Sequence, residues 1–379
     1  MQSSSTTTIF DKIEPKGNVE TLVQRLAFTR YNVHIEGEKE EVKQAIKSAT
    51  ECIATINYPD RKDLPYLPTL CKQVGIYYLF YLRDEKNAVL YLEKFRSMSS
   101  GGTEDRADAN LWLGYAKTIT GTYRDPKEIT AALFSYQALS QSKRSSELEV
   151  ALKRAIGRCF LGLIYHRRAM YTDDVAEKKE AAGLALEQLD SAQTTQELYL
   201  KEFPLLKIEL ANTLRIKGAC LEQKQSQEGL ECLMQSSAYS QAFCDETRHE
   251  HFMRFATLQT RAACLINSPS SGKAQYEEAC HLLEDAYHGQ KSLFDTLQHP
   301  DIAETLHFHG EALEKLDALP LARVLFESSL KIKETFLPLG NPIRVKTEQA
   351  IARVSEKLAP AAAAQHQSEQ APGTPAYRS

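Results

Sequence analysis

The feature that most restricts this chain is the spacing of its apolar residues, which recur every three to four positions through nearly all of its 379 residues. That period marks one face of an α-helix, because residues three and four apart stack on the same side of the axis. Runs of alternating, β-branched residues bounded by turn residues, the mark of strands, are almost absent from the sequence. The expected fold class is all-α. The helical pattern breaks at Tyr58-Pro59-Asp60, at 97–103 (SMSSGGT), at Asp125-Pro126, Phe203-Pro204, 268–272 (SPSSG), His299-Pro300 and Gly340-Asn341-Pro342. Proline, glycine and short polar residues disfavour continuation at each of these places. Helices are expected near 18–32, 38–56, 66–82, 85–97, 106–120, 126–141, 146–171, 174–195, 197–223, 226–243, 246–267, 273–295, 301–316, 320–337 and 342–358.

Short links make consecutive helices antiparallel neighbours. One such pair cannot bury its apolar face alone, so several must stack, and a small rotation at each step curves the stack around a concave groove. The clearest repeating unit runs from His299 to Pro342. Within it Gly310 lets the first helix approach its neighbour, Ala322 follows twelve residues later, and Phe326 and Ser329 take the next packing positions. Weaker copies join Gly75 and Tyr78 to Ala88, Leu92 and Phe95, and Gly162 and Tyr165 to Ala185, Leu189 and Ala192. Gly218, Leu221, Gly229, Leu233 and Ser236 form another, Tyr276 and Ala279 with Leu283 and Ala286 read as a second helix, and Leu113-Gly114 marks a further first helix.

The unit from His299 resembles a tetratricopeptide repeat of the kinesin-light-chain type, whose repeats open on His-Pro and run longer than ordinary ones. Its two turn prolines, Pro300 and Pro342, stand 42 residues apart. It departs from the family in His309, where leucine is usual, and in Asp317 and Leu319, where the turn often carries glycine and an aromatic. The resemblance spans roughly residues 65–340. It implies a right-handed superhelical solenoid of antiparallel helix pairs, preceded by a helical segment at 1–60, occupying 61–358 with a capping helix, and followed by a disordered tail at 359–379. The tail is rich in Ala, Gln, Pro and Ser, too poor in apolar surface to offset the entropy of ordering.

In the family the first helix of each pair lines the groove at fixed offsets from its small eighth residue. Carried onto this chain, those offsets give Glu304, His307, Glu311 and Glu314 from Gly310, and Asn212, Arg215 and Glu222 from Gly218. From Ala263 they give Thr257, Thr260 and Arg261. An amide supplies both a donor and an acceptor and a guanidinium a planar fork, so Asn212 and Arg215 fit a peptide backbone or a carboxylate. The implied function is that of an adaptor or scaffold taking a partner protein or peptide in its groove. A regulatory receptor for a peptide or signal is the alternative, with an effector or enzyme using a non-standard site as a third class.

Chemistry is otherwise not called for. The sequence has no phosphate-binding loop, dinucleotide fingerprint, nucleophile elbow or zinc-protease helix, so no catalytic residue and no cofactor is expected. The histidine pairs His249/His251 and His307/His309 are two apart, which on a helix points them to opposite faces and excludes chelation of one ion. His281 and His288 share a face but stand too far apart. A formal charge of -4 and a pI near 6.2 give no footprint for nucleic acid. The opening residues MQSSSTTTIF carry no signal or anchor pattern, and the longest apolar run, Val74 to Leu82, falls far short of the roughly 20 residues that span a bilayer. Eight scattered cysteines without a C-x-x-C pair read as reduced thiols packed as small hydrophobes in a cytoplasmic protein.

Overall fold

A computed structural model describes residues 39–55, 67–79, 84–100, 103–119, 126–141, 147–172, 174–201, 206–222, 227–247, 250–294 and 296–369. The helix expected near 18–32 lies outside them. The described residues hold fourteen α-helices and no strand. In chain order they are α1 Lys39–Thr55, α2 Leu67–Tyr77, α3 Glu85–Met98, α4 Glu104–Ile119, α5 Lys127–Gln141, α6 Glu147–Tyr171 and α7 Val175–Tyr199. The remainder are α8 Leu206–Glu222, α9 Gln227–Thr247, α10 Phe252–Asn267, α11 Lys273–Phe294, α12 Pro300–Lys315, α13 Leu319–Lys333 and α14 Pro342–Glu369. None is long and apolar enough to cross a membrane.

Local chemistry sets many of the boundaries. Asp84 starts α3 by accepting the backbone N–H of Asn87 at 3.0 Å, and Asp174 starts α7 by accepting those of Ala176 and Glu177 at 2.8 and 3.1 Å. Each carboxylate satisfies amide groups that the first helical turn leaves without partners. The His299-Pro300 and Asn341-Pro342 turns work alike. His299 Nδ1 accepts from Asp301 N at 3.2 Å and Asn341 Oδ1 from Ile343 N at 3.0 Å, each just ahead of a proline that opens the helix. Between α12 and α13, Asp317 takes the left-handed backbone (φ 62°) that glycine supplies more readily, so the departure read in the sequence falls on the one described non-glycine residue with positive φ.

Several boundaries differ from expectation. The helix expected over 197–223 starts only at Leu206, while α7 runs on to Tyr199; Pro204 lies between, and the residue before a proline is pushed out of the helical region. The helix expected from 246 begins at Phe252. The last helix continues to Glu369, past the expected end at 358, through an alanine run whose propensity for helix is the highest of any residue.

The chain divides into two compact units, one up to Met253 and one from Arg254. In the first, adjacent helices pack as the pairs α2/α3, α4/α5, α6/α7 and α8/α9, with α1 against α2. One core gathers Leu92, Leu111, Trp112, Ile129, Phe160 and Ile164, and another Ile53, Leu70, Val74, Tyr77 and Phe95. In the second unit α12 pairs with α13, α11 packs on α12 and α14 packs on α13, around Ala262, Leu283 and Ala312 and around Phe326, Ala350 and Val354.

Glycines set the distance within the pairs. A Cβ built on Gly75, Gly114, Gly162, Gly218 or Gly310 would stand only 2.5–2.7 Å from Leu92, Ile129, Leu189, Leu233 or Phe326 of the following helix. At Gly218 the Gly229 carbonyl also lies 2.9 Å away, so backbone meets backbone there. Two pairs share a second device. Ser236 Oγ donates to the Ala211 carbonyl and Ser329 Oγ to the Ala303 carbonyl, both at 2.6 Å, and both acceptors stand seven residues before the pair's glycine. Buried hydroxyls need such partners, and these tie the second helix to the first at equivalent places.

Candidate functional site

In the first unit the first helices of successive pairs exchange polar contacts. Lys72 of α2 reaches Asp108 of α4 at 2.9 Å, and Lys153 of α6 reaches the same carboxylate at 3.3 Å and pairs with Glu104. Asp108 is 4% exposed, and a carboxylate so buried requires this compensation. Farther along, Asn212 of α8 donates from Nδ2 to Cys159 Sγ of α6 at 3.6 Å, and its Oδ1 accepts from Arg215 NH2 at 2.8 Å.

Asn212 is thus buried and occupied in aiming Arg215; it is not the open groove residue the offsets imply. Its flank forms a crevice walled by Phe160, Ile208, Glu209, His251, Phe252 and Met253. Beside it the buried His166 and Cys220 meet at 3.2 Å between Nδ1 and Sγ. Burial pushes the His166 imidazole down to about 4, and the nearby Arg167 and Arg215 guanidiniums add to the effect. Half-buried Arg158 contacts Ser191 of α7 and is held below the usual arginine range by burial and by Arg154. Glu222, at the end of α8, is half-buried, and burial raises its carboxyl while a backbone hydrogen bond from Leu230 opposes that.

In the second unit the residues selected from Ala263 prove to be one position out of register. Thr213, Thr257 and Thr305 are all fully buried, and they stand five residues before Gly218, Ala262 and Gly310. Ala262, itself fully buried, is therefore the close-packing residue of α10. Thr257 lies inside, Thr260 returns its hydroxyl to the Ala256 carbonyl at 2.8 Å, and Arg261 pairs with Glu278 of α11. In the corrected register Gln259 takes the place assigned to Thr260, and it donates to Thr305 Oγ1 and, at 2.8 Å, to the Asp301 carbonyl.

On α12 the structure brings His307 and Glu311 together, 3.3 Å apart between Nε2 and Oε1, close enough for charge attraction though not aligned as a hydrogen bond. Neither faces open solvent. His307 is 2% exposed, and its other nitrogen lies 3.1 Å from Thr347 Oγ1 of α14. Lys346 of α14 reaches Glu311 at 2.9 Å, and Arg353 and Lys357 of α14 reach Glu314 at 2.7 Å. Glu304 is half-buried and acts on Lys333 of α13 through its charge. The carboxylates read as groove residues are thus largely engaged by α14.

Sequence reasoning missed Lys333, Thr347, Lys346, Arg353 and Lys357, since polar and basic residues on a helix carry no local sign of the neighbour they meet. Its placement of the histidine pairs on helices fails at one site. His251 precedes α10 instead of lying on a helix, where its Nδ1 accepts from Met253 N at 3.2 Å; His249 lies outside the described residues. No cluster of three or more metal-ligating side chains occurs among the described residues, and Cys71, Cys159, Cys220, Cys232, Cys244, Cys264 and Cys280 are free thiols, five of them buried. No family model matches the chain, and no curated protein matches it either.

Proposed function

We propose that each unit winds its helix pairs as a right-handed tetratricopeptide-like solenoid and that the chain is an interaction module taking an extended segment of another protein. The observation that supports this most is the recurrence of one packing device. The glycines at 75, 114, 162, 218 and 310 and the matched Ser236 and Ser329 hydrogen bonds keep second helices on one side of first helices. In the first unit this leaves successive first helices side by side, joined through Asp108 and through Asn212. That row carries half-buried Arg158, Arg167 and Arg215, and Asn212 holds the last of them in place. A planar guanidinium fixed by a neighbour loses little entropy on gripping a carboxylate, so the segment bound is acidic beside an apolar anchor.

The test is affinity purification with cross-linking mass spectrometry, comparing the wild type with Arg215→Glu. A partner whose acidic segment cross-links to α6 and α8 and is lost on charge reversal supports the reading. Cross-links confined to α7 and α9, with capture unchanged by Arg215→Glu, would overturn it.

A further inference from the structure

The second unit holds a buried polar chain that the interaction reading does not use. Lys333, at the end of α13, is 2% exposed and has no carboxylate within ion-pair distance among the described residues; its Nζ donates to Thr347 Oγ1 of α14 at 2.8 Å. With that oxygen already accepting from the ammonium, the Thr347 hydroxyl has its own proton to give, and His307 Nδ1 of α12 lies 3.1 Å away. A histidine can accept there only when that nitrogen carries no proton. Three helices thereby meet at one hydroxyl, with lysine donating on one side and histidine, when its Nδ1 carries no proton, accepting on the other.

We propose that Lys333, Thr347 and His307 form a proton-sensitive latch that holds α14 against α12 and α13. Protonating His307 on Nδ1 would turn the acceptor into a second donor and set two cations on one oxygen, leaving the hydroxyl proton only the Ile343 carbonyl at 3.4 Å. The groups that face the imidazole are Glu311 on its own helix, Lys333 on α13 and Lys346 on α14, with the Phe326 ring 5.4 Å away. From α10 and α11 the contacts to α12 include the neutral amides of Gln259 and Gln290, both on Thr305. Burial, the largest cause, acts together with the two lysines to outweigh the attraction of Glu311 and holds His307 below the ordinary imidazole range.

The direction follows from the acid–base balance. His307 is neutral when α14 is docked and regains an ordinary affinity for protons, near pH 6.5, when α14 lifts away. Docking is therefore fully favoured above about pH 6.5 and weakens as pH falls below it, by up to about tenfold in the opening equilibrium per pH unit. Lifting α14 would also release Glu311 from Lys346 and Glu314 from Arg353 and Lys357, turning a closed ion-pair seam into an acidic strip on α12.

Hydrogen-exchange protection factors for 342–358, corrected for intrinsic rates, test the latch on the full chain between pH 7.5 and 5.5. The wild type is expected to lose protection across that interval, by up to about tenfold, and His307→Gln to show no such loss. His309, which faces Glu284 of α11, is the control, and His309→Gln should behave as the wild type. Lys346→Gln alters a half-exposed residue and leaves Glu311 to stabilise a charged His307, so its slope should be shallower. A flat wild-type profile, or an equally steep one in His307→Gln, would overturn the latch. If His307→Gln also loses protection in α10 and α11, Lys346→Gln decides, and an unchanged slope there overturns it.

Discussion

Gly183 and Gly218 lie inside helices of the same unit and offer opposite answers to one substitution. At Gly183, on the exposed face of α7, an added Cβ meets nothing within 4 Å. At Gly218 it would stand 2.7 Å from Leu233 Cγ and 2.9 Å from the Gly229 carbonyl oxygen. Alanine improves intrinsic helix propensity by about 1 kcal/mol at either site. Gly183→Ala should therefore stabilise the unit by about that amount. At Gly218 the same gain is set against overpacking of about 1–3 kcal/mol, and the upper part of that range applies because a backbone carbonyl, unlike a leucine tip, cannot rotate away. Gly218→Ala should be destabilising by up to about 2 kcal/mol, and the difference between the variants, in which propensity cancels, isolates the close approach. Urea unfolding of the full chain read by hydrogen exchange in α8 and α9 gives both values on one scale. Equal stabilisation by the two substitutions would show that α8 and α9 do not approach at Gly218, and the repeat reading would fall with it.

Ser236→Ala and Ser329→Ala should each destabilise by about 0.5–1.5 kcal/mol, because each removes one buried hydrogen bond from a carbonyl that keeps its own helical partner; unequal losses in urea titrations would show that the two pairs are not equivalent. His166, pushed down to about 4 by burial and by Arg167 and Arg215, binds a proton less readily when folded than the ordinary value of 6.5. Its contribution is complete above pH 6.5 and is lost as pH falls toward 4, about 3 kcal/mol in all. His166→Gln should flatten that interval of the stability profile of the first unit, and an unchanged slope would show that the imidazole is already charged or solvated.

Much of the pairing was readable because it depends on residue size at fixed intervals. Gly218 with Leu233 and Ser236, and Gly310 with Phe326 and Ser329, were picked out by the spacing of the repeat family they resemble, and the structure gives each a contact. Size at short range is encoded locally: a glycine either leaves room for a side chain one helix later or it does not. The candidate site was read less well. Asn212, Thr257 and His307 were assigned to an open face and are buried, because a polar side chain looks the same in sequence whether water or another helix satisfies it. The one-residue slip at Ala262 and Ala263 arose because two adjacent alanines cannot be ordered by size, and only the burial of Thr257 settles which one packs.

The sequence by itself determined that the chain would be helical, where most helices begin and end, and which small residues permit close pairs. Those properties follow from period, proline, capping side chains and volume, all of which act within a few turns of the chain. Only the tertiary structure decided that Lys333 would lie buried against Thr347 and His307 and that α14 would neutralise Glu311 and Glu314. These depend on charges and hydrogen-bond donors brought from residues 14 to 43 positions away, and the effect of such groups is set by their distance and burial in the folded chain, which no local pattern specifies.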